Sequence, residues 1–318
     1  MPAPCPICAN ATGNRLLHVQ EKMTGSLEPF EYLHCAACGH LSLATPVADF
    51  APYYAKGYYS FHVQPVPARR RLFYALRTRT VLGGKNPVGR LLEYAKPPFY
   101  SAWLRYTGLR LGQTLLDVGC GADNLIRILH ACGLRCSGID PFLPEPSIAT
   151  PEGVLLERRD LLDETRPFDA ILFSHSLEHV PDPRAQLAQA AKLLVPGGCA
   201  IDRIPLSDSF AFHHYGADWF QWDAPRHIHL FTRKSLGLLA AEVGLPVERT
   251  IEDSTKIQFW ASEEYRMGIW QNDPRSFAHD PHQTHFSPDD IRRFEQTAAL
   301  LNTFHAGDQA TFILRKPR

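Results

Sequence analysis

Four cysteines fall in two C-x-x-C pairs, Cys5-Pro6-Ile7-Cys8 and Cys35-Ala36-Ala37-Cys38. Each turn directs two thiolates at one ion, and two such knuckles complete the tetrahedral Cys₄ shell that structural Zn²⁺ prefers. A closed shell leaves no position for water or substrate, so the expected zinc is structural. Between the pairs, His18-Val19 and Phe30-Glu31-Tyr32-Leu33-His34 read as short strands joined at Gly25, a zinc-ribbon pattern. A redox C-x-x-C follows a strand and opens a helix, and neither pair has that setting. Cys120, Cys132, Cys136 and Cys199 stand in apolar surroundings and read as packing residues.

A second constellation lies at Asp117-Val118-Gly119-Cys120-Gly121, where an apolar run ends in a glycine turn. Gly119 and Gly121 let backbone approach a ligand closely. Asp140 closes the next apolar run about 20 residues later, where a carboxylate accepts the hydroxyl hydrogens of a ribose. A nucleoside-containing cofactor follows. The dinucleotide fingerprint G-x-G-x-x-G fails at Asn124, and Asp117 would repel a pyrophosphate. A ligand carrying ammonium and sulfonium groups suits that carboxylate, which favours S-adenosylmethionine over NAD.

Methyl transfer from a sulfonium is an in-line displacement, so an enzyme mainly aligns the acceptor and, for a hydroxyl, removes its proton. Ser207–His229 is dense in groups for that task, among them His213, His214, Asp223, Arg226, His227 and His229. His227 reads either as the base or as a residue bonding a carbonyl beside Pro225-Arg226. His214 is a second candidate base, and His175, just after the fourth strand, a third. Glu178 and His179 are expected to cap the following helix and bind backbone. Tyr58 and Tyr59 could close over the cofactor or acceptor. The spacing does not demand a second metal site from His213, His214, His227 and His229.

The elements that must position these groups begin at Gly112. Thr114–Val118, Cys136–Asp140, Phe168–Phe173 and Gly198–Asp202 read as strands, with helices over Asn124–Cys132 and Pro183–Leu194. Strand and helix in succession imply parallel pairing with right-handed crossovers, hence an α/β Rossmann-like doubly wound sheet. Ile257–Trp260 and Gln309–Leu314 are expected to add two strands. The chain divides into a zinc ribbon (1–45), an aromatic connector with basic helices (46–111) and a cofactor-binding domain (112–318) carrying an acceptor-pocket insert at about 205–231. In the connector, Leu72, Phe73 and Leu76, then Leu91, Leu92 and Tyr94, have helical spacing on both sides of Gly83-Gly84 and Asn86-Pro87. Its basic residues read as a solvated face or as a docking face for an anionic substrate or partner.

The whole chain of 318 residues is 45% hydrophobic and balances 33 basic against 33 acidic side chains, which excludes wholesale disorder and a global nucleic-acid footprint. The amino-terminal sequence lacks the charge and apolar run of a secretory leader, and no stretch approaches the length of a membrane span. A cytoplasmic protein with reduced thiols is expected.

These motifs together resemble the class I SAM-dependent methyltransferases. Leu115–Gly121 is similar to their first motif, Asp140 to the ribose-binding acid, and Arg159-Asp160-Leu161 to the turn that touches adenine. Phe168–Val180 resembles F-D-x-I…x-L-E-H-V, and Leu193–Gly198 the L-L-x-P-G-G turn; position 123, where a third glycine is common, is Asp123. The resemblance implies that Asp117, Gly119, Cys120, Gly121, Asp140, Asp160, Leu161 and Ser174 hold S-adenosylmethionine. The cysteine-rich amino terminus and the Pro225-Arg226-His227…Phe231-Thr232 segment resemble a subgroup acting on nucleotide-linked sugars or other small metabolites. That implies a small polar acceptor, possibly phosphorylated or nucleotide-linked. RNA or protein methylation through the ribbon and basic helices, and a non-catalytic scaffold, are the competing readings. Acceptor identity and oligomeric state stay open.

Overall fold

The structure, a computed structural model, describes residues 3–54, 68–95, 97–98, 100–121, 124–280 and 285–318. Tyr58, Tyr59 and Asp123 lie outside the described residues. At the amino terminus β1 (Arg15–Gln20), β2 (Pro29–His34) and β3 (Leu41–Leu43) form an antiparallel sheet, with Val19 opposite Phe30 and Leu17 opposite Tyr32. Period-two alternation turns Phe30 and Tyr32 inward.

The basic segment forms α1 (Ala68–Val81), α2 (Pro87–Ala95) and α3 (Ser101–Thr107). Ala75, Leu82, Tyr100, Trp103 and Leu104 enter the same core as Ile126 and Leu129 of α4 (Asn124–Ala131), so these helices cover one face of the main sheet. Several of their cations are used internally: Arg77 is buried and packs on Phe73, Arg79 donates to the Cys132 carbonyl, and Arg105 pairs with Glu93 at 2.6 Å.

The main sheet has eight strands. β4 (Thr114–Val118), β5 (Arg135–Ile139), β6 (Ser147–Ala149), β7 (Leu155–Glu157), β8 (Phe168–Ser174) and, after α5 (Pro183–Leu193), β9 (Leu194–Pro205) supply six of them. Next come α6 (Phe210–Tyr215), β10 (His229–Leu230), α7 (Arg233–Glu242), β11 (Val247–Glu252), α8 (Ile257–Arg266), α9 (Pro288–Thr303) and β12 (Gln309–Arg315). The strand order is β11-β12-β9-β8-β4-β5-β7-β6, parallel from β9 through β7 and antiparallel at both margins. Adjacent residues of central strands enter opposite cores: Leu115 and Leu172 pack on one face, Leu116 and Phe173 on the other. Covering on both faces is why these strands read as unbroken apolar runs.

Two findings depart from the sequence reading. Ile257–Trp260 is the first turn of α8, not a strand; a four-residue apolar run has too little length to display its period, and Phe259, Trp260, Ala261 and Tyr265 are buried as a helical stripe. In addition, β10, from the insert, pairs with β3, His229 opposite Ser42, and so completes the ribbon sheet as its fourth strand. Among the described residues no helix is long and apolar enough to cross a membrane.

Candidate active site

The carboxyl ends of β4, β5 and β8 open into a cavity of about 370 Å³. It is lined by Val118, Gly119, Asp140, Phe142, Asp160 and Leu161, with His175, Ser176 and His179 on the far side. Gly119 has φ +73°, and a Cβ there would meet that of Ser176 at 2.6 Å, so only glycine gives this turn. Asp140 is held by two backbone donors, Gly121 N–H at 2.9 Å and Phe142 N–H at 2.8 Å. Burial pushes its carboxyl up, although those donors favour the charged form. Asp160 caps a 3-10 turn by accepting from Leu162 N–H and also receives the Gln186 amide at 3.1 Å. Tyr54 and Phe142 stack at 5.9 Å and 18° across the mouth, a flat platform for a base. These groups suit a nucleoside: a fixed carboxylate for ribose hydroxyls, a second acidic turn, and an aromatic surface. Asp117, Cys120 and Gly121 sit behind the lining, buried, and Ser174 ends β8 just before it.

A second cavity of about 410 Å³ adjoins the first, and His175 and His179 line both. Its other walls come from remote segments: Met23 of the amino-terminal sheet region, Arg203, Asp223 and His227, then Gln258, Trp260 and Asp308. Burial pushes the Asp308 carboxyl up to about 7, even though it accepts the Trp219 indole N–H at 3.2 Å.

The three histidines at this junction have distinct roles, because each partner fixes a tautomer. Arg203 can only donate, so His175 accepts on Nε2 at 2.8 Å and carries its proton on Nδ1, which faces Glu178 at 3.4 Å. Both ring nitrogens of His175 are therefore engaged. Its φ of +54° is a strained conformation for a non-glycine residue. His227 gives its Nδ1 proton to the Gln221 carbonyl at 2.8 Å, and His179 gives its own to the Arg226 carbonyl at 2.9 Å. A bare Nε2 remains on each. His227 Nε2 stands 3.7 Å from Asp223 and 4.0 Å from Glu178.

Arg226 locks this arrangement to the amino-terminal segment. Fully buried, it donates from Nε to Asp223 at 2.9 Å, from Nη1 to the Tyr53 carbonyl and from Nη2 to Glu21 at 3.2 Å. Burial opposes ionisation of Asp223, but Arg226 outweighs it and holds this carboxyl at about 2. Glu21 also accepts from the backbone and hydroxyl groups of Thr24 and Ser26, which shapes the turn bearing Met23.

The cysteine pairs converge as their spacing predicts. Sγ of Cys5 lies 3.7 Å from that of Cys38, Cys8 lies 3.5 Å from Cys35, and all four fall within 4.8 Å of one another. Four thiolates at about 2.3 Å from one Zn²⁺ are about 3.8 Å apart, so the group fits a tetrahedral ion. Both knuckles use the same turn, with Ala9 N–H bonding the Cys5 carbonyl and Gly39 N–H that of Cys35. Cys120, Cys132, Cys136 and Cys199 are buried in the core.

Other expectations are corrected. His214 lines neither cavity; it is exposed on α6, stacked on Phe210 at 5.2 Å. His213 is exposed beside it, and His229 is buried against His40 at 3.0 Å, so these residues form no metal cluster with His227. Asp182, not Glu178, caps α5 by accepting from Ala185 N–H. The sequence reading missed Tyr54, Phe142, Gln221 and Trp260 as lining residues. Only the proximity of Phe142 to Asp140 offered a signal.

Comparison with known proteins agrees with this geometry. A family model described as a methyltransferase domain matches residues 77–250. The ubiquinone biosynthesis O-methyltransferase of Pseudomonas paraeruginosa is 30% identical over 172 residues, 48% of this chain and 73% of that protein. Its counterpart from Nitrosospira multiformis is 30% identical over 160 residues, covering 44% of this chain and 65% of the relative. Among solved structures, the cyclopropane synthase MmaA2 of Mycobacterium tuberculosis superposes with a TM-score of 0.45 at 17% identity, over 77% of this chain and 93% of that one. With its glycine turn, its buried Asp140 held by two backbone donors and the family match over more than half its length, the chain belongs to the methyltransferase-domain family and is a SAM-dependent methyltransferase.

Proposed function

We propose that the chain methylates a small polar acceptor, a nucleotide-linked or glycan sugar in the first instance, bound in the second cavity. The observation that carries this reading is the pair of adjoining cavities that share His175 and His179. S-adenosylmethionine, when bound, supplies an electrophilic methyl group on a sulfonium. Asp140 would hold the ribose hydroxyls and Asp160-Leu161 the adenine, with Asp117, Gly119, Cys120, Gly121 and Ser174 shaping the methionine end. His227 takes the acceptor proton on Nε2, and the resulting imidazolium is stabilised by Asp223 and Glu178. His175, with both nitrogens committed, orients Glu178 and does not act as the base.

The two relatives are O-methyltransferases of ubiquinone biosynthesis, which supports oxygen as the accepting atom. Their acceptor is a weaker guide, since Met23, Gln258, Trp260 and Asp308 lie outside the matched residues 77–250. The polar side chains in that wall, among them Arg203, Gln221, Asp223, His227 and Gln258, favour a polar acceptor, and the internal use of Arg77, Arg79 and Arg105 weighs against a polyanion-docking face. The cysteine cluster supports one structural Zn²⁺ on Cys5, Cys8, Cys35 and Cys38. We divide the chain at 45 and 111 into ribbon, connector and catalytic domain. The test is S-adenosylhomocysteine release from a panel of nucleotide sugars and phenolic acceptors. Turnover on a small acceptor that is lost in His227→Gln is expected; turnover confined to RNA or protein, falling steeply with salt, would overturn the reading.

A further inference from the structure

Glu178 is fully buried, and apart from the long 3.4 Å approach of His175 Nδ1 neither of its carboxylate oxygens meets a hydrogen-bond donor among the described residues. Such a carboxylate is costly unless a cation or strong donors compensate it. The groups around it are arranged for a cation. One carboxylate oxygen of Glu178 and one nitrogen each from His179 and His227 lie within 4.8 Å of one another. Both imidazoles have Nδ1 tied to a backbone carbonyl, which leaves each Nε2 as a lone pair and fixes the ring. This is the outer-shell arrangement that metal-bound histidines show. His175 Nδ1, 3.4 Å from Glu178, supplies a further restraint on the carboxylate. His179 borders both cavities, so an ion here would stand where acceptor and cofactor meet.

We propose that Glu178, His179 and His227 form a second, catalytic site for a divalent first-row transition cation, with coordination positions left open toward the acceptor cavity. Two imidazoles and one carboxylate suit Zn²⁺, Fe²⁺, Co²⁺ or Mn²⁺ better than Mg²⁺ or Ca²⁺, which prefer all-oxygen shells. The inference rests on the acceptor-methylating reading and changes how the proton is lost. The acceptor hydroxyl oxygen binds the cation, its O–H bond weakens, and the proton leaves to solvent at the cavity mouth. The oxygen then forms a bond to the methyl carbon as the carbon–sulfur bond breaks, and the sulfur keeps that electron pair as a neutral thioether. His227 serves as a ligand in the loaded enzyme and as the base without metal.

The test uses full-length protein that retains its cysteine-bound zinc. Co²⁺ is titrated by calorimetry and visible absorption into wild type, Glu178→Gln and His227→Gln, with S-adenosylhomocysteine binding as the check on folding. Wild type should take up one Co²⁺ beyond the cysteine site, with the spectrum of a nitrogen–oxygen site and no thiolate charge-transfer band. Each variant should weaken that uptake at least about tenfold while still binding S-adenosylhomocysteine. Metal confined to the cysteines, or a second ion that binds both variants as tightly as wild type, would overturn the inference. Methylation of small acceptors at the same rate with and without the second ion would leave the acceptor reading intact and remove the metal from it. A second ion with no small acceptor methylated would do the reverse.

Discussion

The two cavities at the carboxyl edge of the sheet are built on different plans. The cavity we assign to the cofactor takes most of its anchors from the ends of neighbouring strands, Gly119 after β4, Asp140 after β5 and His175 after β8, with Tyr54 as the platform added from the amino-terminal segment. The cavity we assign to the acceptor draws on Met23, Asp223, His227, Trp260 and Asp308, which only tertiary packing brings together. A site made of strand ends is specified locally and resists distant change; a site made of remote segments depends on whatever clamps them. Here the clamps are the cysteine cluster and the buried Glu21–Arg226–Asp223 network.

Disruption of the cysteine cluster should separate the cavities most sharply. In Cys38→Ser, loss of the structural zinc we propose for these cysteines, worth on the order of 10 kcal/mol, should unravel the ribbon and abolish acceptor turnover. S-adenosylmethionine affinity should stay within several-fold of wild type, as measured by calorimetry alongside zinc content. Equal loss of both functions would mean that the cavities are not independently supported. A smaller cut is Arg226→Met, which leaves Glu21 and Asp223 buried without their counter-charge. About 3–5 kcal/mol of stability should disappear in denaturant unfolding, whereas a neutral result would show that the network is not a clamp.

The strand ends were legible because chemistry and periodicity coincide there: Asp117-Val118-Gly119 carries both an apolar run and its turn. The cysteine shell was legible from spacing alone. The acceptor wall was not, because nothing local ties Met23 to His227, and His214 resembled His227 in composition while lying on the exposed side of α6. Ile257–Trp260 misled for a related reason, since its helical period emerges only when Ala261 and Tyr265 are buried with it.

A pH measurement sharpens the contrast further. Asp308 keeps its proton to about pH 7 in the folded acceptor wall, whereas an unfolded carboxyl releases it near 4. Between those values the folded state binds more protons, so stability falls as pH rises and levels off above about 7. Relative to Asp308→Asn, wild type should lose up to a few kcal/mol between pH 4 and 8; a constant gap would contradict the burial of an acidic proton there. At the small end, His214→Ala should leave stability within about 0.5 kcal/mol and turnover within about twofold, because its ring touches neither cavity. A larger loss of turnover would return it to the site.

The central claim is that one cavity holds the cofactor and the other the acceptor, joined at His175 and His179. Calorimetric binding of S-adenosylmethionine to wild type, Asp140→Ala and His227→Gln, measured side by side, tests it most directly. The account predicts at least about tenfold weaker binding in Asp140→Ala, the loss of about 1.4 kcal/mol or more of ribose contact, and unchanged binding in His227→Gln. Unchanged binding in Asp140→Ala, or equal weakening in both variants, would contradict it.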